Sequence, residues 1–176
     1  MAGFKCLFQP LLHMETQLSQ STLFQSLTGS ANATAALGRI RLFSCVEHFA
    51  EEEEQRAAGV VALPRACIFL TNVRGERTTT SNPTVEIGIG IEITIAMPSG
   101  VDRTHDAEIR YAGPLFEEVF DDVMKLSAPS QPGGALNVVR YNVIQPPYPE
   151  EPDKYVDAAG DQVRAWLCAV EFTVAG

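Results

Sequence analysis

Histidine, paired cysteine and net positive charge are scarce in this chain, and each shortage closes off a class of function. The three histidines, His13, His48 and His105, stand apart from one another and from any cysteine cluster. The ligand spacings of a zinc site are therefore missing. Cys6, Cys45, Cys67 and Cys168 form no C-x-x-C pair. Isolated thiols of this kind fit a cytosolic chain better than a disulfide framework. Thirteen Lys and Arg face 22 Asp and Glu, a formal charge of −9. Gripping a phosphate backbone needs clustered basic residues, so nonspecific nucleic-acid binding is disfavoured. A protein that surrounds DNA without holding it remains compatible.

Long apolar runs are missing at the N-terminus, where Gln9 and Pro10 cut off Cys6-Leu7-Phe8. That run is too short for a signal peptide or a membrane span. No G-x-S-x-G, P-loop or H-E-x-x-H motif occurs. Gly88 and Gly90 sit inside a strand pattern and lead to no G-x-G-x-x-G turn, which excludes a dinucleotide fingerprint. His105 and Asp106 are adjacent, so their side chains diverge, and they read as polarity at a helix start. Asp121-Asp122 belongs to a solvated helix face. Pro146-Pro147-Tyr148 lacks the spacing of a WW-domain ligand and reads as a rigid loop.

What the chain does have is a strand. From Val85 to Ala96 every odd position is apolar and β-branched, while Glu86, Gly88, Gly90, Glu92, Thr94 and Ala96 take the even positions. Alternation of this period sends the two sets to opposite faces. At about 3.3 Å per residue the run spans roughly 40 Å. Its apolar face must lie on a core. Its thin outer face is able to line a cavity, meet another backbone or face water.

The remaining segments fit around that strand. Pro10 opens a helix, whose stripe of Leu11, Met14 and Leu18 continues less regularly through Leu23, Phe24 and Leu27 to Thr28. Gly29 to Asn32 is a break. Ile40 to Cys45 alternates as a strand would, with a helix as the other reading. Glu51 to Glu54 repels itself and reads as an exposed loop or frayed turn. Ala66 to Leu70 is a compact strand after Pro64. With the isoleucine strand it predicts a β-hairpin whose tip is the polar stretch Arg74 to Pro83. Gly113-Pro114 looks like a helix start, placing Glu117 and Glu118 in a first turn that favours anions. Leu115, Phe116, Val119, Phe120 and Val123 give that helix an apolar face.

Leu136 to Ile144 is a strand. The proline-rich Gln145 to Pro152 opens a polar loop reaching Asp161, because proline cannot donate to a ladder. Val163 to Val174 is the last strand, with Trp166, Cys168, Val170, Phe172 and Val174 on one side. The pattern predicts one domain over residues 1–176, with 1–32 as an N-terminal helical extension. The fold class is α+β: a mainly antiparallel sheet of four to five strands with two helices on one face. No catalytic, cofactor-binding or metal-binding residues stand out. The two polar loops are the candidate functional segments, unless they order only on a partner. Arg74, Glu76, Arg77, Tyr148 and Glu150 are the candidate interface residues, since Arg and Tyr favour interfaces.

This layout resembles the tail terminator, or tail completion, proteins of long-tailed bacteriophages. The resemblance rests on segment order: an early helix, Leu37 to Phe43, an acidic linker, then Leu63 to Leu70. A polar loop, the isoleucine strand, the Leu115 to Leu126 helix, a proline-rich loop and the strand from Trp166 to Val174 follow. It implies a structural virion protein rather than an enzyme, acting without cofactors as a homo-oligomer, a hexameric ring. Such a ring caps the tail tube and joins it to the head–tail connector in the neck. DNA passes through its lumen without sequence-specific binding, and assembly takes place in the host cytoplasm without a membrane. The acidic balance suits a channel wall that must let DNA through. Residues 1–32 have no counterpart in that pattern. Three other readings compete: another phage connector ring, a cytosolic module binding a small ligand beside Phe69, Tyr111 and Trp166, and an enzyme using His48 or His105.

Overall fold

The computed structural model describes residues 9–43, 63–76, 84–126, 137–149 and 164–175. Helices α1 (Gln9–Gln20), α2 (Thr22–Thr28) and α3 (Ala33–Leu37) precede strands β1 (Ile40–Phe43), β2 (Arg65–Glu76) and β3 (Thr84–Ala96). Helix α4 (His105–Leu126) follows, then β4 (Asn137–Pro149) and β5 (Ala165–Ala175). The strands form one five-stranded sheet in the order β1-β2-β3-β5-β4. Only β1 and β2 pair in parallel; the other pairs are antiparallel. This is the expected α+β fold.

The isoleucine ladder is its centre. Ile87, Ile89, Ile91, Ile93 and Ile95 are buried, and Trp166, Cys168, Val170, Phe172 and Val174 of β5 lie beside them in register. Ala66 and Ile68 of β2 continue the same face. Leu11, Met14 and Leu18 of α1, Phe24 of α2 and Ala36 of α3 join it in one core cluster. So do Ala112, Phe116, Val119, Phe120 and Val123 of α4. The helices therefore cover one face of the sheet, as the alternation requires.

Several element boundaries differ from expectation. The N-terminal helix breaks at Ser21, whose backbone is extended at φ −61° and ψ 120°. Its Oγ accepts from Phe24 N at 3.2 Å, capping α2 and explaining the irregular stripe beyond Leu18. Gly29 ends α2 at φ 64°, the left-handed conformation that glycine adopts without penalty. The break at Gly29 to Asn32 holds, but Asn32 then caps the unforeseen α3, accepting from Ala35 N at 3.0 Å.

Helix α4 begins at His105, not at Gly113-Pro114, and Pro114 lies in its interior. Thr104 accepts from Ala107 N at 3.3 Å, and Asp106 and Glu108 occupy the first turn. A proline normally disfavours the helical region for the residue before it by striking that residue's Cβ; Gly113 has none. Polarity at His105-Asp106 was thus the true start signal.

Three strands extend beyond their expected limits. β2 reaches Glu76 and β3 starts at Thr84, so Arg74 to Glu76 belong to the ladder and not to the hairpin tip. β4 runs to Pro149 through a segment expected to be loop. It lies at the sheet edge, and its register shifts between Val143 and Gln145 and again between Gln145 and Tyr148. Pro146 and Pro147 fall in that irregularity, where a missing N–H costs no ladder bond. The strand over Ile40 to Cys45 is present as Ile40–Phe43. Ser44, Cys45, the acidic run Glu51 to Glu54 and residues 77–83 and 150–163 lie outside the described residues.

Candidate functional site

The outer face of β3, thin in sequence, is filled by its neighbours. A Cβ added at Gly90 would lie 2.5 Å from ring atoms of Phe69 on β2, so that ring crosses directly over the glycine. Over Gly88, the Thr71 hydroxyl of β2 donates to Glu171 Oε2 of β5. Asn72 Nδ2 donates to the same oxygen at 3.5 Å. A Cβ at Gly88 would strike these groups. Two strands that never pair with each other are joined across the central strand, and glycine makes the passage. The outer face serves packing at these points.

A polar cluster stands at the start of α4. Glu108 is buried, accepts Trp166 Nε1–H at 2.6 Å and forms an ion pair with Arg164. Arg164 Nη2 also donates to the Val101 carbonyl at 3.4 Å. The His105 ring packs on the Trp166 indole with centroids 5.3 Å apart. Each oxygen of the Glu108 carboxylate thus has a donor, as a buried charge requires. The arrangement ties the helix start to the start of β5. No sequence motif signalled it, because Glu108 and Trp166 meet only through the fold.

The third feature is a groove of about 340 Å³ between α4 and the edge strand β4. Phe116 and Phe120 from the helix, Tyr141 and Val143 from β4, and Cys168 and Val170 from β5 line it. Glu117 and Asp121, one helical turn apart and exposed, stand along the helix side. Tyr141 stacks on Phe172 at 6.0 Å. Tyr141 is nevertheless 47% exposed, Val143 55% and Ile144 48%. Burial first, and the nearby Glu117 charge second, push the Cys168 thiol up to about 12. That thiol is protonated at neutral pH and is no nucleophile. Among the described residues, no group of three or more His, Cys, Asp or Glu side chains converges as a metal site requires.

The expected interface residues scatter. Arg74 pairs with Glu86 and Glu76 with Thr84, at the hairpin-tip end of β2. Tyr148 pairs with Leu167, which pairs with Thr94, itself the partner of Arg65. The ladder therefore sets Tyr148 level with Arg65, at the other end of the sheet from Arg74, about 30 Å away at strand rise. Arg77 and Glu150 lie outside the described residues. Phe69, Tyr111 and Trp166 do not form one pocket: Phe69 covers Gly90, Trp166 is buried in the helix-side core, and Tyr111 is exposed on α4. His105 is committed to Trp166, and His48 lies outside the described residues. The groove was missed because Tyr141 and Val143 share the alternation of an ordinary core-facing strand; only their place at the edge exposes them.

No family model and no curated protein matches this chain. Among the described residues, no helix is long and apolar enough to cross a membrane.

Proposed function

We propose that this chain is a structural virion protein, a ring-forming tail terminator that caps a phage tail tube and joins it to the head–tail connector. What supports the reading is how side chains are used. Glu108, Arg164, Glu171 and Thr71 are committed to holding elements together, whereas Tyr141, Val143 and Ile144 are left exposed along one sheet edge. An apolar edge surface favours assembly over catalysis. Helices on one face of a mainly antiparallel sheet are the α+β architecture that the resemblance implies. A net charge of −9 suits a lumen through which DNA slides.

The test is tube capping. Purified protein is added to growing tail tubes from its own phage and tube length is followed by electron microscopy. Capped tubes of fixed length that then accept connectors are expected; tubes that elongate unchecked, with no protein at their ends, would reject the reading. A small-ligand module is the second reading, favoured by the groove between α4 and β4. A rise in melting temperature with a small apolar compound, lost on Val143→Asp, would favour it.

A further inference from the structure

The groove between α4 and β4 joins aromatic walls to a negative rim. Phe116, Phe120 and Tyr141 contribute the rings, and no basic side chain lines it. Arg140, next to Tyr141 on β4, is turned to the opposite sheet face, where its Nε donates to Thr173 Oγ1 at 3.2 Å. Tyr141 gives one ring face to Phe172 and stays half exposed, which leaves its other face for a neighbour. On the helix side stand Glu117 and Asp121. Asp106, earlier on α4, pairs with Arg110 one turn on at 2.7 Å. Glu117 has Gly113 one turn before it and Asp121 one turn after, so the helix offers it no cation and one repelling charge. Among the described residues neither carboxylate forms an ion pair, although Lys125 lies one turn beyond Asp121. Both lie well past the first turn of α4, beyond the reach of the positive end of its dipole. Glu117 also acts on the groove floor: after burial, its charge is the second cause that pushes the Cys168 thiol up. A Cβ built at Gly113 meets nothing within 4 Å, so that end of the helix wall leaves room.

From this combination we infer that the groove binds a small organic cation, an ammonium carried on a short apolar or aromatic body. The body lies against Phe116, Phe120 and Val143. The ammonium sits between the open face of Tyr141 and the carboxylates of Glu117 and Asp121. A π face and two carboxylates attract the same charge. The positive head also relieves the repulsion between the two carboxylates. A volume of about 340 Å³ falls within the range of small-molecule pockets. This inference rests on the small-ligand reading of the groove and names its ligand class; tube capping neither requires nor excludes it.

Three probes that share one aromatic body test it. 2-Phenylethylamine carries a positive head, 2-phenylethanol a neutral one and phenylacetate a negative one. Each is titrated into the whole chain and followed by methyl NMR, where shifts at Val143 and Val170 place the ligand in the groove. The amine is expected to bind about tenfold more tightly than the alcohol, and phenylacetate more weakly than either. A variant with Glu117→Gln and Asp121→Asn keeps side-chain size at two exposed positions. There the amine should lose most of its advantage while the alcohol binds as before. Tyr141→Leu keeps an apolar side chain without a π face and should weaken the amine more than the alcohol. Dispersed methyl signals confirm that each variant folds. If amine and alcohol bind the groove alike, the cation preference is wrong and the small-ligand reading stands. An amine preference that survives intact without the two carboxylates would also overturn the inference. If no probe shifts Val143 or Val170, the inference and the small-ligand reading both fall, whatever tube capping shows.

Discussion

Phe69 and Gly90 form a single unit of packing: the ring from β2 occupies the volume that any side chain at position 90 of β3 would need. The distance of 2.5 Å from a built Cβ to two ring carbons leaves no room for a methyl group without movement. Gly90→Ala is therefore expected to destabilise the protein by about 1–3 kcal/mol, the usual cost of overpacking. Urea denaturation measures it. In a Phe69→Leu background the same substitution should cost less, and that non-additivity separates crowding from the loss of glycine itself.

Glu108 joins a helix start to a strand start. Glu108→Ala removes the acceptor of Trp166 Nε1–H and leaves the Arg164 guanidinium without its carboxylate. Breaking one side of a buried pair costs about 3 kcal/mol or more. Glu108→Gln keeps an acceptor and should lose less. Trp166, the single tryptophan and fully buried, reports both variants by its fluorescence during chemical unfolding.

Cys168 makes stability fall at alkaline pH. Its thiol titrates near 12 when folded against an ordinary value of 9.0, so the folded state holds the proton more tightly. That contribution is complete below pH 9 and is lost as pH climbs from about 9 towards 12, where the unfolded chain has already ionised. Cys168→Ala should flatten the alkaline limb of a denaturation-versus-pH curve. Alkylation at pH 8, read by mass spectrometry, should leave Cys168 unmodified until denaturant is added.

Ser21 has two partners. It caps α2 through Phe24 N, and its hydroxyl donates to Asp122 Oδ2 on α4. Ser21→Ala removes both and is expected to cost about 1–2 kcal/mol by thermal unfolding. Asp122→Asn leaves the cap in place and should cost less.

The elements most legible in sequence were those governed by alternation. β3 and β5 have strict two-residue periods, and both faces fall where that period puts them. The second half of α4 was equally plain from Phe116 to Val123. What escaped sequence reading depended on neighbours. Pro114 signals a helix start only if nothing upstream is helical, and Thr104 supplied that earlier start. Pro146 and Pro147 argue against a strand only if the strand is central, and β4 is an edge. Likewise the glycines of β3 left open whether its outer face lines a cavity, meets another backbone or faces water. Which groups come close, Phe69 over Gly90 and the Thr71–Glu171 bridge over Gly88, was decided by register between three strands.

Strand order also constrains how the molecule is made. β5 follows β4 in the chain but sits inside the sheet, between β3 and β4. During synthesis β4 leaves the ribosome with no neighbour to join, and β3 keeps one flank open until Ala165 to Ala175 emerge. A nascent chain halted before that point would hold an unpaired β4 and a β3 with one flank open, so the sheet closes only once β5 is made.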